Sequence, residues 1–257
     1  MNNSLDCHFT QTGEGPGLFL IHGIGAAEDA WRFIVPKLTK YFTVITYDLR
    51  GHGKSPVTNN NFTLNDLIND LEKIREKTKI EKAHFMGHSL GGMIAPAYAN
   101  KFPDNTISVG LLSTVADRSI KDKQKVLNII KKMELESIPE VLSTLTNRWF
   151  TDDFIKNNKS IVDQRIQQVT DTNPEVFLNV FKIYAETEMI SWLKEIKKPC
   201  LVLTGENDLG CSPEHNKKIS FELTNSKLII IPNVKHSILL ESPNEIANNI
   251  LKFLNNL

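Results

Sequence analysis

Six short runs of consecutive apolar residues punctuate the chain: GLFLIHG (17 to 23), TVITYD (43 to 48), KAHFMG (82 to 87), ISVGLLS (107 to 113), PCLVLTG (199 to 205) and SKLIIIP (226 to 232). Each has the length of a strand and is bounded by Gly, Pro or polar residues. Successive side chains of a strand point to opposite faces, so apolar residues on consecutive positions predict strands covered on both sides. The segments between them carry helical periodicity, at roughly 28 to 40, 64 to 79, 91 to 101 and 243 to 256. In the second of these Leu64, Leu67, Ile68, Leu71 and Ile74 recur at the three- and four-residue spacing of one helix face. Strand and helix in alternation predict an α/β fold with a mostly parallel, doubly wound sheet.

The alternation stops between about 115 and 195, where DRSIKDKQKVLNIIKKMELESIPEVLSTL and the residues through AETEMISWLKEI read as helices only. The expected organisation is therefore a core of residues 1–114 and 196–257, interrupted by a helical insertion, 115–195, before the penultimate strand. Open parallel sheets bind ligands beyond the carboxyl ends of their strands. The insertion is expected over that edge.

Composition narrows the partners. Of 257 residues, 30 are Lys or Arg and 30 are Asp or Glu, so no net field favours nucleic acid, an anionic membrane or a strongly charged partner. A small-molecule ligand is the expectation. The three cysteines, Cys7, Cys200 and Cys211, fit neither a disulfide framework nor a CxxC metal site. The opening MNNSLDCHFTQTGEGPG lacks the basic start and apolar stretch of a leader, and no apolar run approaches the roughly 18 residues of a membrane span. A cytoplasmic protein is expected; an oligomeric state is not legible.

The chemistry gathers at the ends of the predicted strands. GHSLG (87 to 91) lies between the run KAHFM and the helical GGMIAPAYANKF. This is the strand-to-helix context of a G-x-S-x-G nucleophile elbow, in which glycines make room for a sharp turn that exposes one hydroxyl, here Ser89. Serine needs a base, and the base needs a group to orient it. TGENDLGCSPE places Asp208 directly after one strand, and NVKHSILLESP places His236 after the next. Asp117 competes as the acid, with Glu206 a further candidate; His215 and His88 are further candidates for the base. His22, His52 and His88 are read as rings that satisfy local backbone groups, with no metal-site spacing. The Leu90 N–H beside the nucleophile and the Ile24 N–H in HGIG (22 to 25) are candidate oxyanion donors. No metal, nucleotide or flavin is implied.

Together, HGIG, DLRGHGKS (48 to 55), GHSLGG, GENDLGCSPE and the loop histidine followed by LLESPNEIANNILKFL resemble the α/β-hydrolase family. The resemblance spans nearly the whole chain outside the insertion, which it implies to be a cap that shapes the substrate pocket. Lys235 departs from the glycine that many relatives carry before the histidine. Serine at 89, rather than aspartate, disfavours dehalogenase and epoxide-hydrolase chemistry. The segments NRWFTDDFIKNN (147 to 158) and YAETEMISWLKEIKKPCLVLTGEND are similar to 3-oxoadipate enol-lactonase and related lactonases and esterases, and by that likeness Arg148 and Trp149 are candidate pocket residues for an acidic substrate. The implied activity is hydrolysis of small carboxylic esters, lactones or enol-lactones first, by a Ser89–His236–Asp208 triad. Alternatives are C–C bond hydrolysis, a general carboxylesterase or thioesterase, and a ligand receptor built on the same fold. Among the aromatic residues of the insertion, Phe150, Phe154, Phe177, Phe181, Tyr184 and Trp192 are expected chiefly to join it to the core.

Overall fold

In the computed structural model, which describes residues 4–58 and 61–257, the six apolar runs become adjacent strands of one sheet. In chain order the elements are β1 (Phe9–Thr12), β2 (Gly17–Ile21), α1 (Val35–Leu38), β3 (Thr43–Tyr47), α2 (Leu64–Thr78), β4 (Ala83–His88), α3 (Gly91–Lys101) and β5 (Thr106–Leu112). Five helices follow: α4 (Ile120–Leu135), α5 (Ile138–Trp149), α6 (Asp152–Asn157), α7 (Lys159–Asp171) and α8 (Pro174–Glu186). The chain then returns through β6 (Cys200–Gly205), α9 (Pro213–Glu222), β7 (Ser226–Ile231), α10 (Ile238–Glu241) and α11 (Pro243–Leu254). The strand order is β1-β3-β2-β4-β5-β6-β7, with only β1 antiparallel to its neighbour.

Consecutive apolar residues are divided between two cores, one on each face. Phe19, Ile21, Ile45, Phe85, Leu111 and Val202 pack on the face carrying α2 and α3. Leu18, Leu20, Val44, Met86, Leu112 and Leu203 pack on the other, against Trp31, Ile246 and Ile250. Helix α3 is buried from Gly91 through Ala99, which explains why it carries no polar stripe. Helix α2 is amphipathic and begins at a capping box, in which the Asp66 N–H donates to Thr63 Oγ1 and the Thr63 N–H donates to the Asp66 carboxylate.

Register brings the carboxyl ends of the central strands level. Ile21 pairs with Gly87, Gly87 with Leu111, Leu111 with Val202, and Gly205 with Ile231. The turns that follow β2, β4, β6 and β7 therefore emerge along one edge.

The structure differs from the sequence reading in local ways. The predicted helix over 28 to 40 is a 3-10 turn at Glu28–Trp31 followed by the short α1, because Pro36 starts a new helix there. Strand β1 was not expected: it has four residues, and only Phe9 among them is better than exposed, so no apolar run marks it. Helix α9 was also not expected, since it buries only Asn216 and Ile219. Between β5 and β6 the chain forms helices α4 to α8, and two small clusters, around Leu142 and around Phe150 with Leu240, supplement the main cores.

Candidate active site

Ser89 sits between β4 and α3 with φ at +57°, the left-handed region that a residue with a side chain rarely occupies. The surrounding glycines explain how the turn tolerates it. A Cβ on Gly87 would lie 1.9 Å from the Gly91 carbonyl oxygen, and one on Gly91 would lie 2.3 Å from that of Ile21. The Ser89 N–H is anchored to the Leu112 carbonyl on β5 at 2.8 Å. Strain is thus imposed on the serine by backbone packing on both sides of it.

His236, in the loop after β7, places Nε2 3.1 Å from Ser89 Oγ and Nδ1 2.7 Å from Asp208 Oδ2. With the Nδ1 proton donated to the carboxylate, Nε2 is left free to accept from the serine hydroxyl. Asp208 is held in turn by its other oxygen, which accepts from the Gly210 and Cys211 N–H groups at 2.9 and 2.8 Å. Burial works against an ionised Asp208, but the His236 charge and these hydrogen bonds hold its pKa below the ordinary value. Burial likewise opposes an imidazolium at His236, yet the Asp208 carboxylate prevails and raises that pKa well above its ordinary value. The His236 loop is braced from outside: Glu241 accepts from the Lys235 N–H and from the Thr151 N–H and hydroxyl, and the Ser237 N–H donates to the Trp149 carbonyl.

The other candidates lie elsewhere. Asp117 is exposed and ion-paired with Lys218. Glu206 accepts from the Asn233 N–H, and His215 contacts Ser212. His88 Nε2 lies 2.9 Å from the His236 carbonyl oxygen and supports that loop. His22 and His52 each bridge backbone groups of neighbouring turns: His22 accepts from the Leu49 N–H, and His52 from the Gly25 N–H. Burial pulls the pKa of His22 down to about 4 and those of His52 and His88 down to about 3. Two groups, Asp208 with Cys211 and His236, and His8 with Glu28 and Asp48, bring three potential metal-ligand atoms within 4.8 Å of one another. In the first the carboxylate and imidazole already bond each other; in the second Lys54 brings a competing ammonium 3.6 Å from Glu28.

The HGIG turn lies against the serine. A Cβ on Gly23 would stand 3.0 Å from Ser89 Cβ. Neither the Ile24 N–H nor the Leu90 N–H has a hydrogen-bond partner among the described residues, so two free donors flank Ser89.

These groups open into a cavity of about 450 Å³, roofed by residues of α4, α5, α7 and α8, within the size range of small-molecule sites. Of the aromatic residues, Phe177, Phe181 and Tyr184 line it; Phe150 and Phe154 stack on each other at 5.4 Å, and Trp192 packs on the main core. Arg148 is exposed at the cavity and has no ion-pair or hydrogen-bond partner among the described residues. Trp149 is half-buried, and its ring faces the Arg165 guanidinium at 5.3 Å. Arg165, Arg118 and Cys211 also line the cavity and escaped the sequence reading. Arg165 had a signal: Val162, Arg165 and Val169 fall at three- and four-residue spacing on the buried stripe of α7.

A parallel sheet with a strained serine at its edge defines a hydrolase-type fold, and comparison with known proteins agrees. The profile of the family described as alpha/beta hydrolase fold matches residues 16–243; the chain belongs to that family. Among curated relatives, (E)-2-((N-methylformamido)methylene)succinate hydrolase of Acinetobacter baylyi is 24% identical over 250 residues, covering 96% of this chain and 93% of the relative. The 3-oxoadipate enol-lactonase 1 of the same species is 28% identical over 193 residues, 75% of this chain and 71% of that protein. The enol-lactonase structure from Burkholderia xenovorans LB400 superposes with a TM-score of 0.91 at 23% identity, covering 98% of both chains. Both of these curated relatives are hydrolases. No helix among the described residues is long and apolar enough to cross a membrane.

Proposed function

We propose that the protein is a serine hydrolase of small carboxylic esters, lactones or enol-lactones first, working through an acyl-enzyme. The observation that carries this reading is the hydrogen-bonded line from Asp208 through His236 to Ser89 at a strained turn. Ser89 Oγ attacks the carbonyl carbon while its proton passes to His236 Nε2, and Asp208 stabilises the imidazolium. The free Ile24 and Leu90 N–H groups receive the charge that develops on the carbonyl oxygen. Collapse expels the leaving oxygen, which takes the proton from Nε2. Water, deprotonated by the same nitrogen, then releases the acid and restores Ser89.

In this reading residues 115–195 act as a cap over the core of 1–114 and 196–257, and the substrate carries a carboxylate. Arg148 stands unpaired at the cavity and is the group to meet that carboxylate, with Trp149 beside it. Guanidinium suits this role because it can donate two parallel hydrogen bonds to a carboxylate. The cavity of about 450 Å³ and the three free, buried cysteines suit a small cytoplasmic substrate.

The test is the intact mass of wild type and Ser89→Ala after exposure to a fluorophosphonate. One adduct on wild type and none on the variant is expected. A folded wild type that stays unmodified would remove the hydrolase reading and leave a ligand receptor. An Arg148→Ala enzyme is expected to lose affinity for acidic esters and to keep it for neutral ones; equal loss of both would remove the carboxylate contact.

A further inference from the structure

The HGIG turn is held through several of its polar groups, while the Ile24 N–H is left without a partner among the described residues. The Gly23 carbonyl accepts from the Ala26 N–H and lies 2.7 Å from His22 Nδ1. The Gly25 N–H donates to His52. The carbonyls of Ile24 and Gly25 accept from the two terminal nitrogens of one guanidinium, Arg165, at 2.8 and 2.5 Å. Arg165 belongs to α7, some 140 residues from the turn in sequence and part of the helical insertion. It makes no ion pair among the described residues, and desolvation, only partly opposed by Asp29, lowers its pKa to about 10.

A charged side chain held in such a place without a counter-ion requires an explanation. The contacts it makes go to the turn and not to a carboxylate: two of its N–H groups bond backbone carbonyls, and the Trp149 ring faces the guanidinium. The geometry points instead to the turn. Two successive carbonyls converge on one planar fork here with Gly25 in a left-handed conformation, φ +57°. Val169 of α7 and Phe177 of α8 press on the same residue: a Cβ at Gly25 would meet their side chains at 3.1 and 2.8 Å. The Ile24 N–H is thereby aimed by contacts that come from the insertion, not from the sheet.

We propose that Arg165 is a positioning residue, which clamps the Ile24 and Gly25 carbonyls so that docking of the helical insertion sets the orientation of the Ile24 N–H beside Ser89. The inference rests on the reading of Ser89 as nucleophile and of the Ile24 N–H as an oxyanion donor. The same cation also contributes positive potential near the oxygen that becomes negative. Lysine would keep that charge and lose the fork; methionine would lose both.

The experiment compares wild type, Arg165→Lys and Arg165→Met on a neutral short-chain p-nitrophenyl ester, with the affinity of an alkyl boronic acid and the melting temperature measured in parallel. A boronic acid forms a tetrahedral adduct on the nucleophile and so reports on the oxyanion donors. Complete loss of one such donor costs about 10²- to 10³-fold in kcat. Arg165→Met is expected to lower kcat by roughly 10- to 100-fold, with KM within about threefold, and to weaken the boronic acid by a similar factor. Arg165→Lys is expected to fall between the two, and it carries the test if Arg165→Met does not fold. A lowered melting temperature with kcat and boronic acid affinity within twofold of wild type would overturn the proposal in favour of a structural role. Unchanged kcat on the neutral ester with a raised KM for an acidic one would overturn it in favour of a substrate contact. If wild type itself takes no fluorophosphonate, the nucleophile reading has failed; if wild type is labelled and Arg165→Met is labelled at the same rate, only the positioning role has failed.

Discussion

Acid should unfold this protein through its histidines before its carboxylates titrate. Burial lowers the pKa of His22 and His84 to about 4 and of His52 and His88 to about 3. At His22 and His52 one ring nitrogen accepts a backbone N–H, so a second ring proton would break that bond. In the unfolded chain each ring binds its proton near pH 6.5. Below that value the unfolded state holds more protons, so stability falls as pH falls. Between pH 6 and pH 5 each ring costs about 1.2 kcal/mol, about 5 kcal/mol for the four together. That is a large part of the 5–15 kcal/mol that holds a typical domain folded. His236 does not compensate. Its raised pKa contributes stability that is present below pH 6.5 and lost as pH rises through the folded value, so little is gained between pH 6 and pH 5. With a urea dependence of about 2.5 kcal/mol per M, the unfolding midpoint should drop by about 2 M over this interval. Tryptophan fluorescence during urea titration measures it. His84, far from the serine between the Phe42 ring and Ser108, isolates one contribution: His84→Gln should reduce the drop by about 0.5 M, whatever it does to stability at pH 7. A midpoint that stays put from pH 6 to pH 5, or a variant with the wild-type dependence, would refute the reasoning.

Asp208→Asn should lower kcat/KM by about 10³- to 10⁴-fold at pH 8, or about 4 to 5.5 kcal/mol, because an amide NH₂ facing Nδ1 favours the tautomer that leaves Nε2 protonated against Ser89; ester hydrolysis rates check it. The acid limb of the wild-type pH profile should fall tenfold per pH unit below the raised His236 pKa, since the base must be neutral, and in the variant that limb should move to lower pH. Gly87→Ala should destabilise the fold by about 3 kcal/mol or more, roughly 6 to 12 °C in melting temperature, because its Cβ meets the Gly91 carbonyl oxygen at 1.9 Å; calorimetry decides.

The sheet was legible because burial on both faces writes a continuous apolar run, and Leu18 through Ile21 or Leu201 through Leu203 have no polar interruption. Strand β1 and helix α9 were not, because each presents most of its residues to water and forms only against an existing scaffold. Ser89, Asp208 and His236 could be nominated because each lies within five residues of a strand end, so one dimension of sequence sets their height on the sheet. Their mutual distances could not, since these depend on register between β4, β6 and β7. Arg165 was hidden for a different reason. It follows no strand, and a lone arginine in KSIVDQRIQQVTD is ordinarily a solvated side chain; only its place between Val162 and Val169 marks the inward stripe.

This contrast separates two kinds of precision in the site. Ser89 and Asp208 follow strand ends whose register is set by backbone hydrogen bonds, so side-chain changes in helices α4 to α8 should leave their spacing intact. The HGIG turn has no such support on its outer side: Arg165, Val169 and Phe177 supply it from α7 and α8. The base loop is intermediate, anchored through Gly205, where a Cβ would meet the Lys235 carbonyl at 2.4 Å, and through Glu241, which bonds Thr151 of the insertion. Variation in the five helices is therefore expected to act first on the Ile24 donor and on the pocket, and last on the Ser89–His236–Asp208 line. Helices α4 to α8 that are free to change the pocket while Ser89 stays fixed would let one scaffold accept different substrates.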